Sequence, residues 1–344
     1  MMQTTPSYED RPIRSTHPRV IVDAMARCGL DTPPYESLRV LEVGCAHGVN
    51  LMAIAARMPR ATFVGIDIDA EAIAVASRRA KEAQISNIRF EAADLRAFVA
   101  EPESFDLAIA HGVLAWVSPR TGDELFGMFA RLLSPKGMAY VSYDTKPGAC
   151  MREALGLGLR AAADVDGALA LLRRGDAVGG THPGAWLGAE IEAALDRPPS
   201  FLRQQYLCAD ARALTVSEVW DWAERHGLHY VDDVAETGLD EAVVAETARA
   251  AAEVTADRRS AEQLLDVAIL RQFRASVFAR RPPEPRADVE PEPAPQASGV
   301  PTRPRVLPLT RLEARELGFV STPDLEARAL HPLHALLLEP PWRR

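Results

Sequence analysis

The chain has 344 residues, with 39 lysines and arginines against 48 aspartates and glutamates, a formal net charge of −9. Nearly half the residues are apolar and a quarter charged, an ordinary globular composition with ample material for one large domain or two small ones. The acidic balance argues against nucleic-acid or anionic-membrane binding by bulk charge, and no apolar run approaches the roughly 18 residues of a membrane span. Glu9, Asp10, Arg11 and Arg14 stand at the N-terminus without an apolar core region, so no secretory leader is expected and the expected address is the cytoplasm. The cysteines Cys28, Cys45, Cys150 and Cys208 are scattered, which is neither a zinc pattern nor a disulfide framework, and no metal is expected.

In chain order, an irregular polar start leads into a predicted helix from about Pro18 to Cys28, stopped at Gly29. Strands then alternate with helices. The pattern predicts strands over Leu38–Val43, Thr62–Ile66, Ile88–Glu91, Phe105–Ala110 and Met138–Tyr143. Helices are predicted over Asn50–Arg57, Ala70–Ala83 and Thr121–Leu133, the last stopped by Pro135 and Gly137. Apolar strands between amphipathic helices indicate a parallel α/β sheet. Residues 150–210 are Ala/Leu-rich and helical in pattern, with breaks at Gly179-Gly180, His182-Pro183-Gly184 and Pro198-Pro199. A helix over Val216–His226, a strand over Leu228–Val234, a helical stretch from about Asp240 to Leu270 and a closing strand over Phe273–Phe278 follow. The expected division is an N-terminal flap and helix (1–37), a core (38–150), a helical insertion (151–280) whose strands near 228–234 and 273–279 complete the sheet, a Pro-rich linker (281–308) and a short tail (309–344) with one apolar patch at Leu330–Leu338.

The chemistry concentrates in Val40-Leu41-Glu42-Val43-Gly44-Cys45-Ala46-His47-Gly48. An apolar strand ends there in a glycine turn that opens a helix, and glycine lets the backbone approach a ligand closely. Ala46, at the middle of the turn, is tolerable if its φ is negative. Asp67 ends the second strand, 23 residues after Gly44, where an acid can accept both hydroxyls of a ribose. Asp94 follows the third strand, where a carboxylate can accept from an adenine amino group. A dinucleotide site would want G-x-G-x-x-G around a pyrophosphate. This turn reads E-x-G-x-x-x-G instead, and Glu42 would repel phosphate but suit an ammonium. The set of Glu42, Gly44, Gly48, Asp67 and Asp94 fits S-adenosylmethionine, which has an amine, a ribose and an adenine but no phosphate. The alternative left open is an unliganded α/β domain whose Asp67 and Asp94 cap helices.

The E-x-G-C-x-x-G element, Gly65-Ile66-Asp67 and Ala93-Asp94-Leu95 resemble class I S-adenosylmethionine-dependent methyltransferases. Thr16-His17-Pro18, the run His111-Gly112-Val113-Leu114-Ala115-Trp116-Val117, and Val141-Ser142-Tyr143-Asp144 through Gly148 narrow the resemblance to bacterial methyltransferases that carry a methyltransferase regulatory domain. Rickettsial protein-lysine methyltransferases acting on outer-membrane proteins are in that group. Trp220 to Tyr230 and Glu262 to Arg274 resemble the regulatory region, so the likeness runs from about residue 8 to 280. It implies a Rossmann-like sheet with helices on both faces and a helical insertion or regulatory region. It implies S-adenosylmethionine as methyl donor, held by Glu42, Gly44, Cys45, Ala46, Gly48, Asn50, Asp67, Ile68, Asp94, Leu95, His111 and Gly112. It also implies that Tyr8 and His17 belong to an N-terminal flap, although a helix cap accounts for Thr16-His17-Pro18 equally well. Relatives carry other residues where Leu114, Asp144 and Ala149 stand, positions expected to line the acceptor pocket.

Methyl transfer from a sulfonium needs a lone pair held against the methyl carbon, roughly 3 Å away. A nitrogen acceptor must first lose its proton, since a free lysine has a pKa near 10.4. His111, beyond the fourth strand, is expected to bond the cofactor, relay a proton or simply position its neighbours. Tyr143 would orient an acceptor or serve as a core aromatic. Asp144 would attract a cation or accept a proton, and Trp116 would wall the pocket or anchor the next helix. The expected function is N-methylation of a protein or peptide side chain, with no nucleic acid or membrane as partner. The alternatives are a small-molecule or natural-product methyltransferase and a non-catalytic S-adenosylmethionine-binding protein.

Overall fold

Among the described residues, seven strands follow from the apolar runs: β1 (Arg39–Val43), β2 (Thr62–Asp67), β3 (Ile88–Ala92), β4 (Phe105–Ala110), β5 (Leu133–Asp144), β6 (His229–Asp233) and β7 (Phe273–Ala279). The computed structural model describes residues 11–162, 164–173, 184–195, 206–207, 211–235 and 238–283. The strands form one sheet in the order β3-β2-β1-β4-β5-β7-β6. β1 to β5 pair in parallel, and β7 runs antiparallel between β5 and β6. The two late strands thus finish a sheet begun some two hundred residues earlier, and the order reverses between β1 and β4. Ligands of open α/β sheets bind at the carboxyl ends of the strands flanking such a reversal.

Successive residues of a strand point to opposite faces, and here both faces are buried. Val40, Phe63, Leu107, Ile109, Met138 and Tyr140 face α1 (Pro18–Arg27) and α2 (Val49–Ala55), through Ile21, Met25, Leu51 and Ile54. α3 (Ala70–Glu82) flanks β2 and β3. Leu41, Val43, Ile66, Ala108, Val141 and Tyr143 face α4 (Pro119–Leu132), through Phe126 and Phe129. A smaller helical cluster holds Leu155 and Leu159 of α5 (Cys150–Ala161), Leu169 of α6 (Val165–Arg173) and Ile191 of α7 (Gly184–Leu195). α8 (Val216–Arg225) returns to the α4 face with Trp220 and Trp222.

Local chemistry sets most helix starts. Asp69, Ser118, Asp240 and Asp257 each accept a backbone N–H of the helix they open, and Thr215 and Glu218 form a reciprocal capping box. Two expectations need correction. The stretch from Asp240 to Leu270 is two helices, α9 (Glu241–Glu253) and α10 (Arg258–Ala268), because Asp257 caps a fresh start. Pro135 and Gly137 do not stop α4. The helix ends at Leu132, β5 begins at once, and the register shift opposite Phe105 and Leu107 absorbs the proline. The expected linker beyond residue 283 and the tail, and the breaks at 179–180 and 198–199, lie outside the described residues. Among the described residues no helix is long and apolar enough to cross a membrane, and no cluster of His, Cys, Asp and Glu could hold a metal.

Candidate functional site

The carboxyl ends of β1, β2 and β4 bring the first group of expected residues together. Gly44 and Cys45 donate their backbone N–H groups to the Ile66 carbonyl at 2.8 and 3.1 Å, which stitches the turn to β2. Gly44 and Gly48 both have φ of +72°. A Cβ on Gly44 would lie 2.6 Å from Val113 Cγ2, and one on Gly48 would run into Phe90. Glycine is therefore required twice, by conformation and by space. Ala46 differs from expectation: its φ is +48°, a left-handed backbone that an L-residue adopts at a cost. The position is held by Asp67, whose Oδ2 accepts the Ala46 N–H at 2.8 Å while Oδ1 accepts the Asp69 N–H at 2.9 Å. Asp67 is buried, so one carboxylate fixes both the glycine turn and the start of α3.

Glu42 carries the strongest chemical signal. Its side chain is 3% exposed. Oε1 accepts from Asn50 Nδ2 at 2.7 Å, whereas Oε2 is buried with no hydrogen-bond partner. Burial pushes the carboxyl up to about 7, the Asn50 bond pulls it down, and the nearby Asp67 charge adds to the rise. An orphaned buried carboxylate oxygen is expensive unless a donor meets it. Asn50 was expected to contact a cofactor. Its carbonyl instead accepts from Ile13 N at 2.9 Å and Thr16 Oγ1 at 3.1 Å, tying the N-terminal segment to the glycine turn.

His111 and Gly112 follow β4. His111 Nδ1 lies 3.0 Å from both Tyr140 Oη and Ser142 Oγ, and Ser142 Oγ accepts the Gly112 N–H at 2.8 Å. Burial, then the Arg11 charge, pushes the imidazole down to about 4. His111 is thus neutral near pH 7 and a weak base, which favours positioning over proton relay. Ser15 Oγ contacts Tyr140 Oη at 2.9 Å. Sequence reasoning missed this hydroxyl chain. The available signal was Tyr140 and Ser142 two apart in an apolar strand, hence on one face.

Ile68 is 74% exposed beside Asp67. Asp94 is ion-paired with Arg96, whose hydrogen bonds pull the carboxyl down to about 2. Leu95 packs on the sheet core and Cys45 is buried, with burial pushing its thiol up. His17 caps α1: its Nδ1 accepts from Arg19 N at 3.2 Å, and burial, then Arg57, lowers its imidazole. The cap explains Thr16-His17-Pro18 without a ligand. Tyr8 lies outside the described residues. Trp116 is half-buried in the loop after β4, its backbone N–H donating to the Val113 carbonyl.

Three acceptor-side expectations change. Tyr143 is 1% exposed on the α4 face, and its hydroxyl meets Ser276 Oγ at 3.1 Å. Strand alternation turns it away from the face that carries Tyr140 and Ser142, so it is a core aromatic. Leu114 is fully buried in the same core. Asp144 is already neutralised: Arg152 Nη1 donates to it at 2.7 Å and Arg152 Nε faces Glu190 at 3.4 Å. Burial alone would lower the Arg152 guanidinium, and these carboxylates raise it instead. No pattern in the sequence pairs residues 144, 152 and 190. Asp144, Ala149, Arg152, Glu153, Arg160 and Arg212 line a hollow of about 20 Å³ at the end of β5.

Two family models match the chain: a methyltransferase domain over residues 40–137 and a predicted methyltransferase regulatory domain over residues 198–280. Two uncharacterised proteins of Rickettsia prowazekii are 31% and 35% identical, each over 41% of this chain and over 59% and 26% of their own lengths. Among solved structures, PKMT2 from Rickettsia typhi in complex with AdoHcy superposes with a TM-score of 0.69 at 24% identity, covering 80% of this chain and 55% of that one. The match to this chain therefore spans between about a quarter and three-fifths of the length of these three proteins.

Proposed function

We propose that this chain, a class I methyltransferase fold with a methyltransferase domain and a methyltransferase regulatory domain, transfers a methyl group from S-adenosylmethionine to a nitrogen of a protein or peptide. The observation that carries the donor assignment is the buried, partnerless Oε2 of Glu42. A cationic amine suits that atom. A phosphate does not. Asp67 would hold the ribose hydroxyls with the lone pairs its two backbone bonds leave free. Exposed Ile68 offers an apolar surface for the adenine. Asp94 would take the adenine amino group by sharing its carboxylate with Arg96. AdoHcy in the Rickettsia typhi structure supports the same assignment.

Bound there, S-adenosylmethionine supplies an electrophilic methyl group on a sulfonium. The chain's own residues bind, orient and exclude water. Glu42 ionises to hold the amine, and the two glycines let the turn close without side chains. Neutral His111 and Ser142 hold Gly112 at the end of β4, beside the acceptor side. With its imidazole pushed down to about 4, His111 is not poised to take the acceptor's proton near neutral pH.

The neutralised Asp144 favours a second reading, a small-molecule acceptor. It is not a free carboxylate for a lysine ammonium, and the hollow beside it carries three arginines. Calorimetric titration of the purified chain with S-adenosylmethionine and then AdoHcy tests the donor. Micromolar binding of both is expected, and no binding by folded protein would overturn it. AdoHcy release in the presence of peptides, proteins or small metabolites then separates the two acceptor readings.

A further inference from the structure

Two hydrogen-bond chains meet at one short turn, the 3-10 segment Arg14–Thr16. The first runs from Glu42 Oε1 to Asn50 Nδ2 at 2.7 Å, and from Asn50 Oδ1 to Ile13 N at 2.9 Å and Thr16 Oγ1 at 3.1 Å. The second runs from Ser15 Oγ to Tyr140 Oη at 2.9 Å, on to His111 Nδ1 at 3.0 Å, and through Ser142 Oγ to Gly112 N at 2.8 Å. Thr16 is fully buried, and its hydroxyl also donates to the Ile13 carbonyl at 2.8 Å. The turn therefore grips both the end of β1 and the end of β4.

We propose that Asn50 and Tyr140 are positioning residues that couple occupancy of the Glu42 carboxylate to the Arg14–Thr16 turn and, through it, to the loop after β4. The proposal rests on the reading of Glu42 as the group that takes the donor's amine. The coupling has a direct physical cause. The side-chain amide of Asn50 has one orientation that satisfies all three neighbours. Turned over, its carbonyl would face the Glu42 carboxylate and its NH₂ would face the Ile13 N–H. An ammonium at Oε2 holds Glu42 ionised and makes the Asn50 Nδ2 bond charge-assisted. A stronger bond on the nitrogen polarises the amide and makes Oδ1 a better acceptor for Ile13 and Thr16. Ser15 lies between those two residues, so a tighter turn also holds Tyr140, His111 and Gly112 more firmly. The acceptor-side loop thus becomes ordered when donor is present.

Hydrogen exchange on the full chain, with and without AdoHcy, tests this alongside calorimetry over a pH series. In the wild type, AdoHcy should slow exchange of the amides of residues 13–17 and 111–114 by about tenfold or more, as one charge-assisted bond implies. Asn50→Ala should abolish both responses and weaken AdoHcy about 10- to 100-fold. It should also move the midpoint of pH-dependent binding upward, because Glu42 loses the donor that holds its carboxyl down. A merely structural asparagine would not move that midpoint. Tyr140→Phe should remove the response at 111–114 and leave that at 13–17. Thr16→Val, which keeps the shape and loses only the hydroxyl, should weaken the 13–17 response and serves if Asn50→Ala fails to fold. Wild-type binding of AdoHcy without protection of 13–17, or an unmoved affinity and midpoint in Asn50→Ala, would overturn the coupling. No binding of AdoHcy by the folded wild type would overturn the donor reading itself, a distinct result.

Discussion

Glu42 without a ligand is a buried acid that prefers its proton. Folded, it keeps the proton up to about pH 7; unfolded, it releases it near 4.5, the ordinary value of a glutamate. Between those values the folded state binds more protons, so stability falls as pH rises through that window. Glu42→Gln should therefore raise the thermal stability of the ligand-free chain at pH 7.5 by about 3 kcal/mol, the equivalent of moving the carboxyl from 4.5 to about 7, and abolish AdoHcy binding. Denaturation and calorimetry on one sample check both halves. Wild-type AdoHcy affinity should fall about tenfold per pH unit below 7, because binding must first expel that proton. Ala46 gives the opposite kind of test. Its φ of +48° strains an L-residue, so Ala46→Gly should stabilise the fold by up to about 1 kcal/mol, less the added entropy of the unfolded chain. A lower melting temperature in that variant would mean that the added entropy of the unfolded chain outweighs the strain relieved.

Elements decide which face a residue serves. Tyr143 and Ser142 are neighbours in β5, yet the pleat sends Ser142 to His111 and Tyr143 to Ser276. Tyr143→Phe should cost about 1 kcal/mol of stability, one neutral hydrogen bond, and leave AdoHcy affinity unchanged. Loss of affinity in a folded variant would return Tyr143 to the site. The junction of β6, β7 and α10 is held by a buried charge network. Arg274, fully buried, bonds both oxygens of Asp266 at 2.8 to 3.0 Å, reaches Glu262 Oε2 at 2.9 Å and Tyr230 Oη at 3.1 Å, and pairs with Asp233 at 3.4 Å. Ser276 links Asp233 to Tyr143. Removing one member of such a set strands the rest without a partner. Arg274→Ala should cost about 3–5 kcal/mol in chemical denaturation.

At the scale of the molecule, the sheet is complete at Ala279, and Arg280 closes it by donating to the carbonyls of Ala130 and Leu133 at 2.6 and 2.9 Å. A chain ended after Pro283 should therefore fold and bind AdoHcy as the full chain does. Calorimetry on the shortened protein checks this, and failure to fold would show that residues beyond 283 support the core. The regulatory-domain match over 198–280 contains both closing strands, β6 and β7. Its two strands are part of the sheet that carries the proposed donor site, so substitutions in them act first on the fold.

Local rules determined much of this protein. Strand and helix positions in the core followed from apolar periodicity and caps such as Asp69 and Ser118. The glycine turn, Glu42 and Asp67 were legible because each works within a few residues of its own strand end. Tertiary structure decided the rest. Whether Tyr143 faces solvent or core depends on the pleat of a strand whose start was displaced by a register shift. Whether Asp144 carries a free charge depends on Arg152 and on Glu190, 46 residues further along the chain. The bonds from Asn50 to Ile13 and from Tyr140 to Ser15 join residues 37 and 125 positions apart. Periodicity reports which face of an element is apolar, but a polar side chain's partner is fixed only when the elements pack. The proposed donor site could therefore be read from the strand ends between Glu42 and Asp94, while the wiring around it could not.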